Sequence, residues 1–400
     1  MNYRMVNVDS KDNHNKFWFC DVEGSSQVRN WGRVGASSQT KTFHFSSSYD
    51  AQADADKAAR SKRAKGYREV AVATDKVDLP STSVKKLATE QIKTNGDKVL
   101  SDLIDYLVKV NIHTITSNTS LTVNGGQLCS ALGPITPKAI AEARNTLQRI
   151  GGYVNRNMQS SYKFTRLVEE YMTTVPMRIG MKRWTGMDVF PTMTEVREQE
   201  TILNAMESFQ AVSSDEKVFD VKLEKADSEV SRIQALFNKT SNRMHKHAHN
   251  RTVKAVYAIV IGTDEFSDKV GNVQELWHGT KAGNLLSILK CGMKIVPSGA
   301  SHTTGRMFGD GLYFSDQSSK SFQYVIGSAP GQKRGGTDRH FMLLCEVAMG
   351  KAYTPRNPTR KIPSGYDSCF AKGGRSGVMN NEMVVYKEEQ ARIKYLVEFS

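Results

Sequence analysis

The feature that most constrains this chain is a double change in its hydrophobic period. Short runs that alternate apolar and polar residues fill residues 1 to about 75, a three-to-four spacing takes over from about 85 to 245, and strand-like runs return up to residue 400. One period cannot serve both a pleated strand and a helix, so the pattern calls for separate elements in sequence. Four hundred residues also exceed what one core usually organises. The expectation is a multidomain α+β protein: a small strand-rich module (1–75), a linker (76–90), an all-α bundle (91–248) and a mixed β-sheet domain (249–400). "KFWFCDVE" and "KTFHFSS" are the first strands, followed by the basic helix "DAQADADKAARSKRAKGYREV". "ATDKVDLPSTSVKK" reads as the linker. "VLSDLIDYLVKV", "TPKAIAEARNTLQRIGGYV", "SYKFTRLVEEYMTTV", "TEVREQETILNAMESFQAV" and "SEVSRIQALFNKTSNRM" are the predicted bundle helices, several opening on Thr, Ser or Pro. "AVYAIVI", "GLYFSD", "HFMLLCEVAM", "EMVVYK" and "IKYLVEFS" are the later strands.

Composition narrows the function classes. With 39% hydrophobic and 24% charged residues the chain is globular in type. No apolar run approaches the roughly 18 to 20 residues that span a bilayer, and the N-terminus lacks the apolar centre of a signal peptide, so a soluble intracellular protein without a membrane partner is expected. Five scattered cysteines with no C-x-x-C pair argue against zinc fingers and a disulfide framework, leaving reduced thiols. A net charge of +14 makes nucleic acid a serious partner, with a merely basic surface as the plain alternative. In "MHKHAHN" the residues His245, His247 and His249 would share one face of a strand. No Cys or carboxylate completes a tetrahedral set locally, so no metal is expected.

Three short stretches carry chemistry. "ELWHGTKAGNLLSILKCGMKI" reads as strand, turn and helix, with His278 and Gly279 at the strand end, where a rigid element aims polar groups into a cleft. A satisfied structural histidine is the plain alternative. "GLYFSDQSSKSFQYV" places Tyr313 and Tyr324 at a strand–helix junction, and "NNEMVVYK" puts Glu382, Val384 and Tyr386 on one strand face. A carboxylate fixed there would stabilise oxocarbenium charge of the kind that glycosidic cleavage develops. Near the N-terminus, Trp31 offers a flat face for an exposed sugar or base and Arg33 a forked phosphate donor, beside a helix bearing Lys62 and Arg63. A core tryptophan and a solvated helix face are the alternatives.

These motifs together resemble the DNA-dependent poly(ADP-ribose) polymerase family over almost the whole chain. "LWHGT", "GRMFGDGLYFSDQSSKSFQY", "LLCEVAMG" and "NNEMVVY" follow the order of its catalytic domain. "PITPKAIAEARNTLQRI" and "VPMRIGM" resemble its helical regulatory domain, and "NHNKFWF" with "NWGRVGASSQTKTF" its WGR module. The resemblance implies an enzyme that takes NAD+ as substrate, releases nicotinamide and passes ADP-ribose to acceptor proteins, itself included. It implies a catalytic set of His278, Tyr313 and Glu382, and an NAD site of His278, Gly279, Thr280, Asn284, Tyr313, Lys320, Ser321 and Tyr324. Gly279 would offer its N–H and C=O to the carboxamide, Ser321 its hydroxyl, and Tyr324 a stacking face. It implies that Asn30, Trp31, Arg33, Lys62 and Arg63 meet a DNA end or nick, and that the bundle obstructs NAD until DNA binds. A nuclear location follows in a eukaryote, a DNA-associated one in the cytoplasm otherwise. His249-Asn250 fits a structural "THN" where bundle hands over to catalytic domain. Lys294, Arg306 and Asn380 depart from the family pattern toward the donor and acceptor ends. A mono-ADP-ribosyltransferase and a DNA-binding scaffold with an inactive transferase domain remain the alternatives.

Overall fold

The computed structural model describes residues 2–70, 84–124, 127–177, 179, 183–209, 217–246, 248–262, 265–295, 307–326 and 339–400. It divides into two units, one of Met1–Ser83, Ile112–Ser214 and Gly299–Ser301, the other of Val84–Asn111, Asp215–Ser298 and His302–Ser400.

The first unit begins with strands β1 (Tyr3–Asp9), β2 (His14–Glu23), β3 (Ser26–Arg33) and β4 (Ser38–His44), helix α1 (Ser48–Ala64) and the two-residue β5 (Arg68–Glu69). They form one antiparallel sheet in the order β4-β3-β2-β1-β5. Alternation points Tyr3, Met5, Trp18 and Cys20 to one face, and α1 lies on it through Ala55 and Ala59. Ala51, Ala55 and Ala59 repeat every four residues and are fully buried, and their small side chains let the helix approach the sheet closely. Ser47 caps α1 by accepting from the Asp50 N–H at 3.1 Å.

Helix α2 (Val84–Gln91) occupies the second half of the expected linker (76–90), where an apolar face of Val84, Leu87 and Ala88 is buried; residues 76–83 lie outside the described residues. Helix α3 (Lys98–Asn118) follows, its first N–H groups capped by the Asp97 carboxylate. A small meander, β6 (Thr122–Asn124), β7 (Gln127–Ser130) and β8 (Gly133–Pro134), leads to α4 (Pro137–Asn155), α5 (Tyr162–Thr174), α6 (Gly186–Val189) and α7 (Met193–Ser208). Thr136 with Pro137 starts α4, and a Thr192–Glu195 capping box starts α7. Polar ties lock the apolar faces together. Arg144 on α4 reaches Glu207 and Asn204 on α7, and the buried Tyr171 on α5 donates to Gln199 on α7 at 2.9 Å. Within the same unit the buried Glu169 accepts from both the backbone N–H and the hydroxyl of Ser10 in the N-terminal module.

The second unit contains β9 (Val221–Lys225), α8 (Val230–Thr240), β10 (Val253–Ile261), β11 (Val273–Gly279), α9 (Leu285–Cys291), β12 (Leu312–Phe314), α10 (Ser318–Ile326), β13 (His340–Ala348), β14 (Ala352–Tyr353), β15 (Ser368–Ala371), β16 (Glu382–Val385) and β17 (Ala391–Phe399). One sheet runs β11-β13-β17-β10-β9 and a second β12-β16-β15-β14. Their core is aromatic: Phe237 of α8 meets Trp277, Phe322 and Phe399. Residues 221–240, placed with the bundle by the sequence pattern, therefore belong to the second unit, β9 as a strand of its five-stranded sheet and α8 packed on that sheet. Amphipathicity says that one face of α8 is buried but not against which element. Residues 84–111 share this unit too, since the Gln91 amide oxygen accepts from the backbone of Val218 and Phe219, and Lys225 pairs with Asp97 at 2.8 Å. The histidine-rich stretch forms turns rather than the expected strand, and His247 lies outside the described residues.

Candidate active site

The site grows from the seam between the two sheets of the second unit. Trp277 and Ser315 exchange backbone hydrogen bonds at 2.9 and 3.0 Å, which sets the end of β11 beside the end of β12. One residue on, His278 Nδ1 donates to the Tyr313 carbonyl at 2.9 Å. A carbonyl can only accept, so the proton sits on Nδ1 and Nε2 is left as an acceptor in the neutral ring. Burial holds the His278 pKa below its ordinary 6.5, which keeps the ring neutral. The geometry thus presents a fixed acceptor, suited to a ligand hydroxyl.

Gly279 packs against α10. A Cβ built there would lie 1.8 Å from the Ser321 carbonyl oxygen, so the close approach of helix and strand alone demands glycine, before any ligand is considered. The Ser321 hydroxyl donates to the Trp277 carbonyl at 3.1 Å. Its single proton is thus engaged, and it faces a ligand with lone pairs rather than with the donor that the motif suggests. Asn284 donates to the Thr280 hydroxyl at 3.0 Å, while its own Oδ1 is buried without a partner among the described residues. Asn111 on α3 donates to the Gly283 carbonyl at 3.0 Å and pins this turn from behind.

Tyr313 enters from β12, opposite Val384. Its hydroxyl donates to the Gly309 carbonyl at 2.8 Å and accepts from the Phe308 N–H at 3.1 Å, while the Tyr386 hydroxyl donates to the Phe308 carbonyl at 2.6 Å. Two tyrosines thereby staple the turn at Phe308–Gly309. Tyr324, on the last turn of α10, is 53% exposed and stands one helical turn beyond Lys320 on the same face.

The electrostatic centre is the pair Lys320–Glu382. Lys320 Nζ donates to Glu382 Oε1 at 2.9 Å and to the Asn381 carbonyl at 3.1 Å, with side chains only 10% and 16% exposed. Burial lowers the Lys320 pKa, and the Glu382 charge opposes that shift. Glu382 Oε2 carries no hydrogen bond among the described residues, so one carboxylate oxygen remains for a ligand. Asn381 stands out in no sequence pattern. Its Nδ2 donates to Asp316 at 2.8 Å, its Oδ1 accepts from the Gly373 N–H at 2.9 Å, and its carbonyl takes Lys320 and Ser315, so it fixes the strand start that carries Glu382. His245 has a place here too, which the alternation of histidines, suggestive only of a metal, does not reveal. It is buried, bonded through Nδ1 to Ser319 Oγ at 2.9 Å, and its pKa is lowered by burial and raised by Asn380. Lys294 pairs with Glu388 at 2.8 Å, and Arg306 lies outside the described residues. No cluster of three or more His, Cys, Asp or Glu able to hold a metal ion occurs among the described residues.

In the first unit the expected DNA-facing residues separate. Trp31 lies across from Trp18 and packs on the module core, and Lys62 sits 5.7 Å over the Trp18 ring and 4.8 Å over Tyr67. Burial, then repulsion from Lys65, Lys16 and Arg29, pushes the Lys62 pKa down. Asn30 donates to Thr40 and Ser38 on the neighbouring strand, and Arg63 pairs with Glu69. The Arg33 guanidinium donates to the Asn13 carbonyl and to its Oδ1 at 2.9 and 3.1 Å, which ties it to the β1–β2 turn, where Asn13 adopts φ 52°. Its fork is engaged in the fold, unlike the open phosphate donor that the sequence suggests.

The comparisons with known proteins bear on both units. The poly(ADP-ribose) polymerase catalytic domain matches residues 227–376, and the WGR domain matches residues 1–74. The chain is 24% identical to human "Protein mono-ADP-ribosyltransferase PARP3" over 99% of this chain and 87% of that protein. It is 24% identical to the rice "Poly [ADP-ribose] polymerase 2-A" over 97% of this chain and 68% of that protein. A "Putative poly [ADP-ribose] polymerase-like 100L" of Invertebrate iridescent virus 6 is 32% identical over 30% of this chain and 68% of its own length.

Proposed function

Because the chain belongs to the poly(ADP-ribose) polymerase family and is an NAD+ ADP-ribosyltransferase with a WGR domain, we propose that it builds poly(ADP-ribose) on acceptor proteins, itself among them, when damaged DNA engages that domain. The observation that carries this reading is the Lys320–Glu382 pair beside the fixed acceptor of His278. His278 Nε2 accepts a hydroxyl of the adenosine ribose, with Thr280 and Asn284 at the same end. Gly279 and Ser321 hold the carboxamide, and Tyr313 and Tyr324 flank the nicotinamide ring, where an electron-rich face suits a cationic ring.

The bond that breaks joins nicotinamide to ribose, and its electron pair leaves with nicotinamide, which becomes neutral. The ribose carbon passes through an oxocarbenium-like state, stabilised by the carboxylate of Glu382. Lys320 takes up one oxygen of that carboxylate and so fixes its orientation, while Oε2 contacts the sugar or the incoming hydroxyl. The acceptor oxygen forms the new bond and gives its proton to that carboxylate or to water. Such a site works by positioning and charge rather than by a covalent intermediate.

Half-buried Lys62, crowded by like charges, supports an anion-binding role for the WGR domain. In a nucleated cell this partner places the protein in the nucleus. A second reading, transfer of a single ADP-ribose, is favoured by the departure at Asn380, two residues before Glu382. Incubating the full chain with labelled NAD+, with and without nicked or blunt DNA, separates the readings. A ladder of products that appears with DNA is expected. Single additions alone would leave the mono-transferase, and no nicotinamide release under any condition would leave an inactive scaffold.

A further inference from the structure

One charged surface near Glu382 is used by none of the chemistry above. Between Lys351 and Asn381 the sequence holds six cations, Lys351, Arg356, Arg360, Lys361, Lys372 and Arg375, and one acid, Asp367. The Asp367 carboxylate is taken up by the Lys351 N–H at 2.8 Å. The last five cations are exposed and make no ion pair among the described residues, although Lys294, Arg339, Arg392 and Lys394 of the same unit all have carboxylate partners. Like charges left together without counter-ions attract a polyanion.

The segment that carries them is built, not loose. The Ser376 hydroxyl donates to the Pro355 carbonyl at 2.5 Å, and a Cβ on Gly377 would lie 2.8 Å from Pro358, so 355–358 and 376–377 are packed together. Gly309, at φ +88°, approaches Arg360 so closely that a Cβ would lie 2.3 Å from its carbonyl oxygen. The Gly373 N–H donates to Asn381, the residue before Glu382. The 372–377 stretch is thereby anchored at the Glu382 end of β16, with 355–358 tied to it, while Arg360 packs by Gly309 toward the Val385 end of the same strand. Tyr353 and Tyr366, half-buried with ring centroids 5.2 Å apart, add aromatic surface in the same segment, with the Lys351 ammonium 4.7 Å over the Tyr366 ring.

We propose that this rim binds the phosphate backbone of a single-stranded nucleic acid beside Glu382. Three arginines supply forks that match phosphate oxygens, and aromatic rings beside cations suit unpaired bases. An acidic peptide fits less well, because a bound peptide strand needs an edge to pair with, and β14 is two residues long and soon followed by Pro355. The site belongs to the catalytic unit and does not depend on the DNA contact proposed for the WGR domain.

The test is lysine-acetylation footprinting of the full chain, read by mass spectrometry with and without an oligothymidylate at low salt. Lys361 and Lys372 should be protected several-fold, with Lys254, exposed on β10, as the unchanged reference. Replacing Arg356, Arg360, Lys361, Lys372 and Arg375 with Gln should lower the slope of log K against log salt by about 3.5, at about 0.7 for each phosphate that the five cations no longer neutralise. The same variant should keep its KM for NAD+ without nucleic acid. Protection of Lys62 but not of Lys361 and Lys372 overturns the rim and leaves the WGR reading standing. Protection by polyglutamate but not by the oligonucleotide also overturns it, in favour of an acidic acceptor.

Discussion

At the scale of single residues, the site is a set of groups whose freedom the fold has removed. His278 can only accept through Nε2, because Nδ1 is held by Tyr313 and burial keeps the ring neutral. As pH falls through its lowered pKa, below 6.5, Nε2 gains a proton and ceases to accept. KM for NAD+ should therefore rise on the acid side while kcat changes less, and His278→Gln should flatten that limb in a pH series of initial rates. The unfolded chain takes up the same proton at higher pH, so acid also erodes stability through this residue over that window. Glu382→Gln keeps the shape but loses the charge, and should cost about 10² to 10³ in polymer synthesis while NAD hydrolysis survives. Polymer of unchanged length on a gel would refute the assignment. Gly279 needs a different test from the one its motif suggests. Since a Cβ there meets the Ser321 carbonyl, Gly279→Ala strains the seam itself by about 1–3 kcal/mol, so a lower Tm should accompany any loss of NAD or benzamide binding.

At the scale of elements, the catalytic sheet draws on pieces that precede its recognisable motifs. β9 completes the sheet edge, and α8 places Phe237 among Trp277, Phe322 and Phe399. Phe237→Ala should cost about 3–5 kcal/mol, measured by thermal melting, because the side chain is fully buried in that aromatic core. A test of gating by the helical bundle, which the family resemblance implies, needs a deletion that respects this core. Removing everything from 85 to 245 would take away α8 and β9 and leave the core open. Deleting 119–209 instead keeps α2, α3, β9 and α8, and should give a transferase active without DNA if the bundle restrains NAD access by only a few kcal/mol. A deletion protein that melts cooperatively and binds benzamide, yet needs DNA as before, would refute the gate.

At the scale of the whole molecule, the net charge of +14 suits the proposed DNA partner, and Lys62 offers a place to test it. Because burial and neighbouring cations disfavour its charge, Lys62→Gln should leave stability unchanged or slightly higher. DNA stimulation should drop, and the salt slope of duplex binding should fall by about 0.9. Unchanged DNA titrations would make Lys62 a purely structural cation. Much of this protein was legible in its sequence. The two changes of period mark strand-rich, helical and strand-rich stretches, and Thr136, Pro137 and Thr192 mark helix starts, because caps and periodicity depend on residues only a few positions apart. The order "LWHGT", "GLYFSD", "NNEM" likewise named His278, Tyr313 and Glu382 as candidates. Only the tertiary structure decided which face meets which. It assigned α8 to the catalytic sheet, gave Arg33 to Asn13, made Gly279 a packing necessity and set Lys320 and Asn381 around Glu382. Those pairings join residues far apart in the chain, and a local pattern records that a face is buried without recording its partner.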